Sequence, residues 1–171
     1  SQPTPNVLLV DFGRVAFGNL KLTPPADAAG KITVHFGEKL LDGRVDTAPP
    51  GTVRYATVTA ELAGSQPLVV APPTNARNTE QVSEKHPPAV LTPKEWDVVL
   101  PFRWVEIEGW PGELKPEQIV RRAAFATTWD DQAASFESSD KVLNQIWELC
   151  RYSIKATTFA GVYLTDSLTW A

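Results

Sequence analysis

Phe102-Arg103-Trp104-Val105-Glu106-Ile107-Glu108-Gly109-Trp110 reads as a β-strand, because aliphatic residues alternate with polar and aromatic ones at a period of two. Alternation predicts Trp104, Glu106, Glu108 and Trp110 on one face and Arg103, Val105 and Ile107 on the other. Outward from this run, further β-rich segments fall at residues 7–12, 15–22, 31–38, 53–62, 67–70, 97–100 and 119–128. They are separated by turn formers, among them Pro24-Pro25, Asp42-Gly43, Pro49-Pro50-Gly51, Gly64 and Pro111-Gly112. Eight short strands spaced in this way predict a mainly β chain with an antiparallel sandwich, jelly roll or similar, over residues 1–134. Residues 71–94 form a long, polar, Pro-punctuated connection between two of the strands.

Near residue 135 the period changes to about 3.6. Val142, Leu143, Ile146, Trp147, Leu149, Cys150 and Ile154 recur at helical spacing, and neither Gly nor Pro interrupts residues 137–160. This predicts one C-terminal amphipathic helix, capped by Ser138, Ser139 or Asp140. A lone helix of this length is marginal in water, so its apolar stripe needs a partner, from the chain's own sheets or from another molecule. Lys141, Glu148, Arg151 and Lys155 are expected to form the solvent face, and Cys150 to be a buried thiol on the apolar side. Packing of the stripe against a second copy makes a homo-oligomer one candidate assembly.

Composition narrows the function classes. The chain has 171 residues, 43% apolar and 21% charged, which reads as globular. A net charge of −4 with no basic cluster argues against nucleic acid as a partner, and Arg121-Arg122 reads as a solvated strand end. No apolar run approaches the length of a membrane span, and no signal peptide is visible. His35 and His86 lie far apart beside a single cysteine, so no zinc spacing exists, and His35 reads as a structural mid-strand histidine. A phosphate-binding Gly-rich loop, a Gly-x-Ser-x-Gly elbow and a calcium loop are also missing. No cofactor and no metal are therefore expected.

The one constellation with chemical content is the opening strand. Residues i and i+2 on a strand have Cα atoms roughly 6.5 to 7 Å apart, so Glu106 and Glu108 could act as the paired carboxylates of a glycosidase. Trp104 and Trp110 would then offer indole faces to sugar rings. The same alternation better describes an ordinary strand, with Val105 and Ile107 facing the core and the carboxylates facing solvent, paired with Arg103 or Arg121 neighbours. Trp96 and Trp129 read as packing residues.

Four segments together resemble bacterial α-L-rhamnosidases. They are Asp11-Phe12-Gly13, Ile32-Thr33-Val34-His35-Phe36-Gly37-Glu38-Lys39-Leu40, the run from Pro101 through Phe102-Arg103-Trp104-Val105-Glu106 to Gly112, and Phe136-Glu137-Ser138-Ser139-Asp140-Lys141-Val142-Leu143-Asn144-Gln145-Ile146-Trp147. Order and spacing match across residues 7–163. The resemblance implies a jelly-roll or concanavalin-like sandwich that directly precedes an (α/α)6-barrel catalytic domain, with residues 139–158 as the first barrel helix. It also implies hydrolysis of terminal α-L-rhamnosides with inversion by two barrel carboxylates, and a periplasmic or secreted location. The family's first acidic motif, an Asp followed by Arg-Glu-Arg, should come just after Gly161-Val162-Tyr163. Here Leu164-Thr165-Asp166-Ser167-Leu168-Thr169-Trp170-Ala171 lacks the Arg-Glu-Arg run. The expectation is a truncated rhamnosidase-like protein: a non-catalytic, carbohydrate-associated sandwich over residues 1–134, and over 135–171 an orphan helix with an irregular tail. A glycoside hydrolase using Glu106 and Glu108, and a helix-mediated assembly, are the alternatives.

Overall fold

The computed structural model describes residues 7–74, 92–159 and 162–163. His86, most of the connection over 71–94, and the tail residues 164–171 with Asp166 lie outside the described residues. The chain is mainly antiparallel β with one C-terminal α-helix among the described residues. The strands are β1 (Val7–Leu22), β2 (Ala29–Gly37), β3 (Leu40–Leu41), β4 (Arg44–Val45), β5 (Tyr55–Ala63), β6 (Leu68–Val70), β7 (Leu100–Glu108) and β8 (Ile119–Ala123). They are followed by the helix α1 (Lys141–Thr157) and the short pair β9 (Thr158–Phe159) and β10 (Val162–Tyr163).

Six strands form one sheet in the order β5-β2-β7-β1-β6, with β8 also paired to β1. Leu20 is opposite Val70 of β6 and Arg121 of β8, so the second half of β1 is paired on both edges. The two runs read at 7–12 and 15–22 are one strand. A register shift between Asp11 and Ala16 bends it, and a bulge of this kind raises local twist and lets a sheet curl over its own core. Gly13 carries the bend at φ 79°, and its N–H donates to Asp11 Oδ1 at 2.7 Å. The run read at 119–128 ends as a strand at Ala123. Of that read at 97–100 only Leu100 is strand, as the start of β7; a single 3-10 turn, Lys94–Trp96, precedes the run, and the buried Asn19 Nδ2 holds the segment by donating to the carbonyls of Trp96 (2.6 Å) and Val98 (3.2 Å).

The core lies on one side of β7. Val105 and Ile107 form a fully buried cluster with Phe36 and Val34 of β2, in register with them, and with Leu20, Ile32 and Phe102, while Val10 and Leu8 of β1 pack against it partly buried. Phe102 stands edge-on to Phe36 (5.1 Å) and Phe12 (5.9 Å). Burying each such side chain contributes about 1.5–3 kcal/mol, and with Leu62, Val70 and Ile119 the cluster draws on all six strands of the sheet. Arg121 is not a solvated strand end. Its guanidinium lies over Phe12 and Phe102 and donates to the carbonyls of Arg14 (2.6 Å) and Phe102 (3.1 Å), tying β8 to the bend of β1.

Helix α1 starts where its cap allows: the Asp140 carboxylate accepts from Val142 N–H at 2.8 Å. Its orientation reverses the expectation. Arg151 and Lys155, read as solvent-facing, reach back to Asp131 at 2.7 and 2.6 Å. Glu148 pairs with Arg151 at 3.0 Å and approaches Arg14 at 3.9 Å, and Tyr152 O–H donates to the Val15 carbonyl at 2.8 Å. The polar face is thus bound to the sandwich, and the stripe points outward, with Val142 60% and Leu149 66% exposed. Cys150 is exposed rather than buried, for the same reason.

Candidate functional site

Strand β7 sits between β1 and β2, so whatever its second face carries is placed at mid-sheet. His35 of β2 is in register with Glu106 and with Thr57 of β5, which puts the imidazole beside the carboxylates. His35 Nδ1 is 2.8 Å from the Tyr55 hydroxyl, and its Nε2 is 3.8 Å from Glu108. A donor atom each from His35, Glu106 and Glu108 lies within 4.8 Å of the others.

The group that organises this cluster is Arg44, on the short hairpin formed by β3 and β4. Its Nε donates to both oxygens of Glu106 at 3.1 and 3.2 Å, and its Nη2 donates to Glu106 Oε1 and, at 2.9 Å, to Glu108 Oε1. Val45 N–H adds a bond to Glu106 Oε2 at 3.2 Å. Glu106 is 3% exposed, so it is a buried charge with its partners supplied. The Arg44 hydrogen bonds hold its carboxyl below the usual range, against the opposing effect of burial, and the two glutamates hold the Arg44 guanidinium protonated.

Chemically this is a locked pair. A glycosidase acid needs a raised pKa and an open space beside its partner carboxylate, whereas here a guanidinium stands between the two. A divalent cation bound by His35, Glu106 and Glu108 would have to displace the same guanidinium, whose positive charge already serves both carboxylates.

The tryptophans part company. Trp104 is half-buried at the sheet surface, with the Arg103 guanidinium 4.5 Å from its ring centroid, and Arg103 is held by both oxygens of Asp11 at 2.7 Å. Arg103 is therefore at the surface and not with Val105 and Ile107 in the core. Trp110 does not flank the carboxylates. β7 ends at Glu108, and Gly109 takes φ 82°, where a Cβ would lie 2.8 Å from the Lys31 carbonyl oxygen. Only glycine tolerates that turn, and it swings Trp110 into the core at 2% exposure. Trp96 and Trp129 are half-buried, and Trp129 Nε1 donates to Asp131 at 2.9 Å.

Arg44 escaped the sequence reading although its signal was present: Asp42-Gly43, both at positive φ, is the turn dipeptide of a tight hairpin, and Arg44 follows it directly.

Residues 1–82 match the family model of the bacterial alpha-L-rhamnosidase concanavalin-like domain. The fold is shared with the crystal structure of Streptomyces avermitilis alpha-L-rhamnosidase complexed with L-rhamnose, at a TM-score of 0.58 and 20% identity, over 93% of this chain. This chain spans 13% of the length of that one. No curated protein matches it. In its first 82 residues this chain is therefore similar to the concanavalin-like domain of bacterial α-L-rhamnosidases, and over most of its length it has the fold of a solved α-L-rhamnosidase, as its motifs led us to expect.

Proposed function

We propose that this chain is a non-catalytic, carbohydrate-associated sandwich module of the rhamnosidase type. The observation that supports it is the Arg44 clamp. Of the carboxylate pair on β7, Glu106 is buried and bound to a guanidinium that also reaches the partly exposed Glu108, as befits a structural ion pair. The alternative, a glycoside hydrolase working through Glu106 and Glu108, would need one of them to hold a proton near neutral pH, and Arg44 works against that for Glu106. Calorimetric titration of the chain with rhamnosylated and plant-type glycans tests the module reading: binding without hydrolysis is expected, and an absence of binding would reduce the chain to a structural role. Release of aryl aglycone that disappears in both Glu106→Gln and Glu108→Gln would establish the hydrolase instead.

A second reading is favoured by the outward stripe of α1. In it, residues 135–158 are an assembly element, resembling the first helix of a barrel and able to pack on a second copy. Sedimentation velocity at rising concentration tests this: a dimer that Leu149→Ser dissolves is expected, and a strict monomer at every concentration would exclude self-assembly.

A further inference from the structure

The inner face of α1 has its own feature. Between it and the bend of β1 lies a groove of about 1010 Å³, at the top of the roughly 300–1,000 Å³ range of small-molecule sites. We propose that this groove binds an uncharged oligosaccharide. The proposal rests on the carbohydrate-associated reading above and places the ligand away from the Glu106 face of β7.

Three properties of the lining argue for that class. The first is charge. Three cations line it and each faces a carboxylate: Arg14 lies 3.9 Å from Glu148 and Arg54 borders Glu38 within the lining, and Arg103 is held at 2.7 Å by Asp11 beside it. Such pairs leave little net attraction for an anion, yet they present N–H donors and carboxylate acceptors side by side, which is what vicinal hydroxyls require. The second is mixed polarity. Val15, Pro101 and Ala156 offer apolar contact for the C–H faces of sugar rings, while the Gln145 amide makes no hydrogen bond among the described residues. The third is size, which suits several linked rings better than one.

Its α1 wall is held to its β1 wall by the Arg14–Glu148 pair at 3.9 Å and the Tyr152–Val15 bond. The groove is therefore organised before a ligand arrives, which lowers the cost of binding.

Titration calorimetry of the full chain with cellohexaose, xylohexaose and an α-L-rhamnosyl-terminated trisaccharide tests the proposal, with a sulfated hexasaccharide as the anionic comparison. Gln145 and Ser153 are exposed residues lining the groove. Gln145→Trp and Ser153→Trp should fill it without touching the core, and circular dichroism checks that each variant is folded. The expected result is binding of at least one neutral saccharide, weakened about tenfold or more in both variants, or about 1.4 kcal/mol. Lys31→Trp, on the distant β2–β5 edge, should leave binding as it is. Binding kept in both groove variants but lost in Trp104→Ala would overturn the groove and leave the carbohydrate reading standing. Tighter binding of the sulfated saccharide would overturn the ligand class. No binding of any probe would overturn the carbohydrate reading and this inference together.

Discussion

β7 and α1 carry equally clear hydrophobic patterns, and the fold uses them in opposite ways. On β7 the aliphatic residues Val105 and Ile107 are fully buried, and the carboxylates on the other face meet Arg44 from the β3–β4 hairpin. On α1 no residue is fully buried, the charged side chains hold the helix to the sandwich, and the aliphatic stripe stands in solvent. A period identifies which residues share a face. Which face turns inward is decided by what it meets, and here Asp131, Arg14 and the Val15 carbonyl supply partners for polar groups and none for aliphatic ones.

The largest test of this contrast is a matched pair of truncations. Phe36→Ala should cost about 3–5 kcal/mol by opening a cavity among Phe102 and Val105, measured by urea unfolding. Leu149→Ser on α1, by contrast, should move stability by no more than about 0.5 kcal/mol.

Next in size is Arg44→Ala, which leaves Glu106 charged and buried. Because Arg44 is itself half exposed, the expected cost is about 2–3 kcal/mol, below the full penalty for an orphaned buried charge. The double variant Arg44→Ala/Glu106→Gln should recover part of it in the same unfolding measurement.

The helix clamp is weaker. Asp131→Ala removes solvent-exposed, salt-screened pairs, and it should appear as faster amide exchange along α1 with the sheet and the global unfolding midpoint unchanged.

The smallest effect is with pH. Asp131 is lowered from an ordinary 3.8 to about 2, chiefly by Lys155. A carboxyl depressed in the folded state stabilises above its unfolded pKa and loses that contribution as pH falls through the folded value. The clamp should therefore be complete at neutral pH and weaken only between about pH 4 and pH 2, seen as fraying of α1 in far-ultraviolet circular dichroism.

Much of the fold was legible because alternation and turn chemistry act locally. The runs at 31–38, 53–62 and 103–108 became β2, β5 and β7, and the cap, Asp140, is one of the three residues the sequence offered for it. The bend of β1 was hidden, since Gly13-Arg14 marks a turn and a bulge equally well. The candidate site was half legible. Glu106 and Glu108 do share a face, but Trp110 leaves it through the backbone of Gly109, and Arg44 arrives from about sixty residues away in the chain. No periodicity encodes a contact of that range. The groove between α1 and β1 is a product of tertiary packing in the same sense.

Whether Glu106 is structural or catalytic is read most directly from its own titration, followed by side-chain carboxyl ¹³C shifts as a function of pH. The Arg44 clamp predicts a midpoint below the ordinary 4.5 that moves upward in Arg44→Ala. A midpoint raised toward neutrality in the unsubstituted chain would contradict the account and return Glu106 to the role of a general acid.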